Sequence, residues 1–263
     1  MRTDMADIPA GAAVLIPGFL DDRHVWDPLI AHSTLHTTQF LRTDLAGCGD
    51  RLAAAGPYSL IRFSDDALAI VDSLPAPTVL VGQSMGAPIA ELAAVAAGDK
   101  VRGLVLMTPV PLTGTAFPED VVAPFRTMAG DERSQARARA ELSYALPPDE
   151  LQRLARSGAR IRAEVVAGLV DSWNRGIPDA PTPSTFTGPV LIVRGGRDPL
   201  VTAEMVTTKV APRFPNAQEF TIADAGHWPH LEQPAAVARV LDCFVRQVFD
   251  PQAECFTSAS RKD

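Results

Sequence analysis

The sequence predicts an α/β fold in which a mostly parallel central sheet is covered by helices on both faces. Short apolar runs alternate with amphipathic helical stretches along most of the chain, and parallel strands need crossover helices that bury both sheet faces. The apolar runs are rich in Val, Ile and Leu and end in Gly, Pro or Asp, the pattern of fully buried strands. At 263 residues the chain suits one such domain carrying one insertion.

Ala12 to Ile16 ends in Pro17-Gly18 and reads as the first strand. Gln39 to Thr43, followed by Asp44-Leu45-Ala46-Gly47, reads as the second strand and its loop. Asp65 to Ser73 has helical spacing. Thr78 to Val81, entered from the breaker Pro75-Ala76-Pro77, is the third strand. The alanine-rich stretch Ala87 to Ala97 reads as a helix stopped by Gly98. Gly103 to Met107, Pro189 to Val193 and Gln218 to Ile222 complete the strands. The last helix opens near Pro234, which suits a first helical turn. Val237, Val240, Leu241, Phe244, Val245 and Val248 form its apolar stripe. The polar residues beyond about 250 are expected to fray.

Between Thr113 and Phe186 the alternation stops. Short helices are expected after Pro118, across Asp131 to Leu146, from Pro148 to Arg156 and from Ile161 to Trp173. The prolines Pro178, Pro181 and Pro183 then lead back to the sheet. The expected division is a core of residues 1–112 and 187–263 with an inserted helical cap of residues 113–186. Such an insertion is a natural cover for a pocket. Its Phe125, Met128 and Trp173 are candidate substrate contacts, with Phe117 and Leu146 also considered, and Trp228 on the core joins them.

Composition excludes several classes. The net charge of −7 and the absence of a basic block argue against nucleic acid, whose phosphates need clustered Lys and Arg. No run of 18 apolar residues suggests a membrane span. The opening MRTDMADIPAG has no apolar core behind a basic start and does not read as a signal peptide. Cys48, Cys243 and Cys255 are odd in number and match no zinc spacing, and Cys243 reads as a buried thiol. Reduced cysteines point to the cytoplasm. The expected partner is a small-molecule substrate.

The chemistry centres on Gly82-Gln83-Ser84-Met85-Gly86, directly after an apolar strand and before a helix. A G-x-S-x-G in that setting is a nucleophile elbow. The turn is so tight that only small residues fit two positions to either side of the serine, and Gly82 and Gly86 fill both places. The following helix directs its first N–H groups and its dipole at a developing oxyanion. A serine hydroxyl is a weak nucleophile and needs a base. His227, in Asp224-Ala225-Gly226-His227-Trp228-Pro229, lies in a loop after a strand and is the candidate. His230 is a minor alternative. His24 could line the pocket, while His32 and His36 lie in a polar stretch and read as solvated. The supporting acid should follow a strand between serine and histidine. Asp198 does so, although an Asp before Pro199 also suits a helix cap. Asp224 is closer to His227 in sequence but reads as a cap on its own turn.

With these residues in view, the chain from about 12 to 249 resembles the α/β-hydrolase superfamily, in its serine-nucleophile form with a helical cap. The blocks that carry the resemblance are Leu15-Ile16-Pro17-Gly18-Phe19, the Ser84 elbow, Gly195-Gly196-Arg197-Asp198 and the stretch from Gly226 to Pro234. The resemblance implies an oxyanion hole made by the backbone N–H groups of Phe19 and Met85. Many members carry His-Gly before the position of Phe19, where this chain has Pro17-Gly18. The implied mechanism is acyl transfer without metal or organic cofactor. A carboxylic ester or lactone is the leading substrate class. Carbon–carbon bond hydrolases and cofactor-free haloperoxidases share such a triad, and a triad-bearing ligand receptor with little turnover is the rival of another class. A serine at the elbow disfavours haloalkane dehalogenases and epoxide hydrolases, which resemble this family but use aspartate there.

Overall fold

The computed structural model describes residues 11–75 and 77–253. Cys255, the opening segment, Ala76 and the last polar residues lie outside the described residues. Along the chain run β1 (Ala12–Ile16), α1 (Asp27–His32), β2 (Gln39–Arg42), α2 (Leu60–Ser73), β3 (Thr78–Gln83), α3 (Gly86–Ala97) and β4 (Val101–Met107). Then come α4 (Glu119–Arg126), α5 (Glu132–Leu142), α6 (Pro148–Ala159) and α7 (Ala163–Arg175). The chain returns through β5 (Val190–Gly195), α8 (Ala203–Met205), β6 (Gln218–Ile222), α9 (Pro229–Glu232) and α10 (Pro234–Phe249). The strands form one sheet in the order β2-β1-β3-β4-β5-β6, with every neighbouring pair parallel.

The period-2 geometry of a strand sorts the sheet side chains into two cores. Val14, Ile16, Leu80, Leu104, Leu106 and Ile192 pack with α2 and α3 residues such as Phe63, Val71 and Ile89. Leu15, Val79, Val81, Val105, Met107 and Val193 pack with Leu29 of α1 and Val237, Leu241 and Phe244 of α10. Each such side chain stabilises the fold by roughly 1.5–3 kcal/mol when fully buried. Polar residues gather on the edge strands β2 and β6, where Gln39, Arg42, Gln218, Glu219 and Thr221 are exposed.

Several boundaries differ from the sequence-based expectation for local reasons. Helix α2 starts at Leu60, not Asp65, because the Ser59 hydroxyl accepts from the Arg62 N–H at 3.3 Å and caps the first turn. Helix α1 was not expected; Pro28 sits in its first turn and Leu29 anchors it. Helix α5 ends at Leu142, not Leu146, because Ser143 is extended and Pro147-Pro148 follows. Helix α7 runs two residues past Trp173 to Arg175 and closes on Gly176 at φ 55°.

In a parallel sheet the C-terminal strand ends share one edge, where sites of such sheets form. The ends of β1, β3, β5 and β6 lead to Phe19, Ser84, Asp198 and His227. The helices α4 to α7 lie between β4 and β5 in sequence, and Phe125, Met128, Arg139 and Trp173 reach the same edge.

Candidate active site

Ser84 occupies the turn from β3 into α3 with φ 51°, a left-handed conformation that a non-glycine residue adopts at a cost of about 1–3 kcal/mol. The turn is held by Ser84 N–H donating to the Met107 carbonyl at 2.9 Å and Ala87 N–H donating to the Ser84 carbonyl at 3.0 Å. A side chain at Gly82 would fall on the Gly86 carbonyl, and one at Gly86 on the Ile16 carbonyl. Both glycines are therefore required by backbone contact.

Ser84 Oγ lies 2.9 Å from His227 Nε2, and His227 Nδ1 lies 2.8 Å from Asp198 Oδ2. All three residues are buried. The other Asp198 oxygen accepts the N–H groups of Leu200 at 2.8 Å and Val201 at 3.0 Å. Burial pushes the Asp198 carboxyl up, but the His227 charge and hydrogen bond and these two N–H groups outweigh it, leaving the carboxyl below its ordinary value. An ionised carboxylate only accepts, so Nδ1 carries the imidazole proton and Nε2 is free to accept from the serine hydroxyl. The arrangement can draw a proton off Ser84 and stabilise the resulting imidazolium.

The loop after β1 lies against the elbow. A Cβ on Gly18 would come within 3.1 Å of the Ser84 Cβ, so Phe19 follows directly on that contact. Met85 immediately precedes α3, where the first N–H groups of a helix have no intrahelical acceptor.

A small cavity of about 40 Å³ opens above Ser84 and His227. Phe125, Met128, Trp173 and Trp228 all line it, together with the Phe19 side chain. Phe19, Phe125 and Trp173 meet edge to face with ring centroids 5.6–6.1 Å apart. Phe117 packs behind Trp173, and neither it nor Leu146 reaches the cavity surface. Polar residues line the cavity as well. Arg139 of α5 donates to Asp21 at 2.6 Å and to the Leu20 carbonyl at 2.9 Å, and Trp228 Nε1–H donates to the other Asp21 oxygen at 2.8 Å.

The remaining titratable candidates fall elsewhere. His230 is wholly buried, stacks on Trp26 at 4.6 Å and is not part of the cavity lining. Burial, and then the nearby His227, push its pKa down to about 3. It is a neutral core residue and does not reach Ser84 as the alternative base. His24 does not line this cavity; it is exposed and paired with Asp27 at 2.8 Å. Asp224 is exposed. The turn it was expected to cap is held instead by Glu232, whose oxygens accept from Gly226 N–H at 2.8 Å and Trp228 N–H at 3.1 Å. Cys48 and Cys243 are buried, and burial, then the Asp44 charge, push the Cys48 thiol far up.

Sequence reasoning missed four further contributors: Gln83, Thr108, Arg139 and Glu232. Gln83 Nε2–H and the Thr108 hydroxyl both donate to the His227 carbonyl, at 3.0 and 3.1 Å. Gln83 stands inside the elbow motif and Glu232 inside the His227 block, so position alone could have flagged them. Thr108 and Arg139 carry no local signal. Among the described residues no group of three or more His, Cys, Asp or Glu side chains is placed to hold a metal ion, and no helix is long and apolar enough to cross a membrane.

Comparison with known proteins agrees with this architecture. The chain is 27% identical over 230 residues to 2-hydroxymuconate semialdehyde hydrolase of Pseudomonas putida, covering 80% of this chain and 78% of that protein. It is 42% identical to Esterase YbfF of Escherichia coli over 53 residues, 20% of each chain. A thermophilic esterase from Thermogutta terrifontis shares the fold at TM-score 0.75 and 23% identity, with 90% of each chain covered. The Alpha/beta hydrolase family matches residues 13–240, a span that reaches all six strands, the Ser84 elbow and His227. With its parallel sheet and its strand-end site, the chain therefore belongs to the alpha/beta hydrolase family.

Proposed function

We propose that the protein hydrolyses a carboxylic ester or lactone through an acyl-enzyme on Ser84. The observation that carries this reading is the buried series Ser84–His227–Asp198, joined at 2.9 and 2.8 Å on the floor of the cavity. Ser84 Oγ attacks the substrate carbonyl as His227 Nε2 takes its proton, and Asp198 stabilises the imidazolium. The Phe19 and Met85 N–H groups hold the tetrahedral oxyanion. His227 then returns the proton to the leaving alcohol, and water attacks the acyl-serine by the same route. The aromatic wall of Phe19, Phe125 and Trp173 suits an apolar acyl or aryl group, and the identity to Esterase YbfF over a short stretch supports the ester. Cleavage of a carbon–carbon bond beside a carbonyl is the second reading, favoured by the longer similarity to 2-hydroxymuconate semialdehyde hydrolase.

The test is multiple-turnover release of acid from a panel of esters, lactones and vinylogous diketones. Ester turnover is expected to exceed diketone cleavage. Ser84→Ala should bring activity to background, and a fluorophosphonate probe should label Ser84 alone. Activity retained by Ser84→Ala, or labelling of another serine, would sink the proposal.

A further inference from the structure

The imidazole of His227 is aligned by a short loop, and that loop is held largely from outside the sheet. The His227 N–H donates to the carbonyl of Leu142 at 3.0 Å, the last residue of α5. On either side of it, the Gly226 and Trp228 N–H groups donate to the Glu232 carboxylate. The same carboxylate receives the N–H groups of Tyr144 and Ala145, at 2.8 and 2.7 Å, from the turn just after α5. Glu232 is buried, and these four backbone donors surround its charge. Such charge-assisted bonds are about twice as strong as neutral ones.

A second feature points the same way. The turn after α5 lies flush on Gly226. A Cβ there would come within 2.7 Å of both the Leu142 carbonyl and the Tyr144 nitrogen. Glycine at 226 is thus what lets the inserted helices touch the histidine loop backbone to backbone.

We infer that Glu232 is a positioning residue that clips the α5–α6 turn to the His227 loop, so that Ser84 is acylated at full rate only with that turn docked. The inference rests on His227 being the base. An approach of Ser84 Oγ to Nε2 tolerates little displacement, and a shift on the order of 1 Å can cost roughly 100-fold in rate. On this account α5 is part of the frame that aligns the proton transfer as well as a wall of the pocket.

The substitution Glu232→Gln is nearly isosteric but keeps one accepting oxygen and presents an NH₂ group to backbone donors. We expect kcat and the rate of fluorophosphonate labelling of Ser84 to fall about 10- to 100-fold, with KM changed less than about threefold. Amide hydrogen exchange in the peptide containing Tyr144 and Ala145 should quicken, while exchange in β3 and β4 stays as in the parent protein. Gly226→Ala, which leaves the carboxylate intact and pushes the turn away, should reproduce both effects. Its result decides the matter if Glu232→Gln does not fold. Labelling within twofold of the parent, or an activity loss that only tracks the unfolded fraction, overturns the inference. His227→Ala is measured alongside. If that variant keeps full activity the base assignment itself fails; if it is inactive while Glu232→Gln is unimpaired, only the role of Glu232 is lost.

Discussion

Asp198 and Asp224 both precede His227 in the chain, and the nearer one in sequence is the wrong one in space. Asp198 reaches Nδ1 at 2.8 Å and has its second oxygen fixed by two N–H groups, whereas Asp224 is exposed and only its carbonyl is engaged, by Gln233. Asp198→Asn would place an amide against Nδ1 and favour the tautomer with its proton on Nε2, which cannot accept from Ser84. Turnover should fall by up to about 10⁴-fold with the fold retained, while Asp224→Asn should stay near the parent rate. Steady-state kinetics with circular dichroism on both variants checks this, and the reverse result would transfer the acid role to Asp224. At the same scale, Ser84 was legible because its glycines are demanded by hard contacts that any such elbow must make. Thr108 was not, because it acts on the His227 carbonyl, a partner more than a hundred residues away in the chain.

Among the elements, α4 and α7 supply the apolar wall and α5 adds polar lining. The Phe125 and Trp173 rings meet edge to face at 5.6 Å, so their shape defines one side of the space left for substrate. Trp173→Leu should lower kcat/KM for aryl esters relative to short alkyl esters by about 10- to 100-fold, since apolar pocket contacts of this size carry about 1–3 kcal/mol of discrimination. A substrate-series measurement with a thermal melt separates the outcomes: an altered melt with unchanged selectivity would mean that Trp173 serves packing only. The existence of these helices could be read from spacing and proline placement. Which residue of each faces the cavity could not, because an amphipathic face shows that a helix is covered without showing by what. Phe117 and Leu146 illustrate this: equally apolar in sequence, they pack elsewhere.

Across the whole molecule, acid stability should depend on His230. Its pKa is pushed down to about 3 in the folded state, against about 6.5 when unfolded. Between those values the unfolded chain binds a proton that the native one refuses. The residue's contribution is therefore fully present above about pH 6.5 and is lost as pH falls toward 3, with a slope of up to about 1.4 kcal/mol per pH unit. Replacing it with Phe keeps a ring against Trp26 and removes the titration. Urea unfolding from pH 7 to 4 should show a shallower loss of stability for His230→Phe than for the parent chain. Equal slopes would refute the assignment of a neutral buried imidazole.

The strand order, the parallel sheet, the longer helices, the Ser84 elbow and the candidacy of His227 and Asp198 could be read from the sequence, because each rests on local chemistry. Burial on both faces writes strands as apolar runs, crossover connections force a parallel order, and a turn as tight as the elbow admits only glycine at two places. The tertiary structure alone placed α1, made His230 a core residue, and brought Glu232 and the end of α5 onto the histidine loop. Those roles depend on pairings such as Arg139 with Asp21 and Glu232 with Tyr144, 118 and 88 residues apart. No periodicity or short motif spans such distances. The pairing exists only once the sheet has brought its strand ends to one edge and the inserted helices have closed on them.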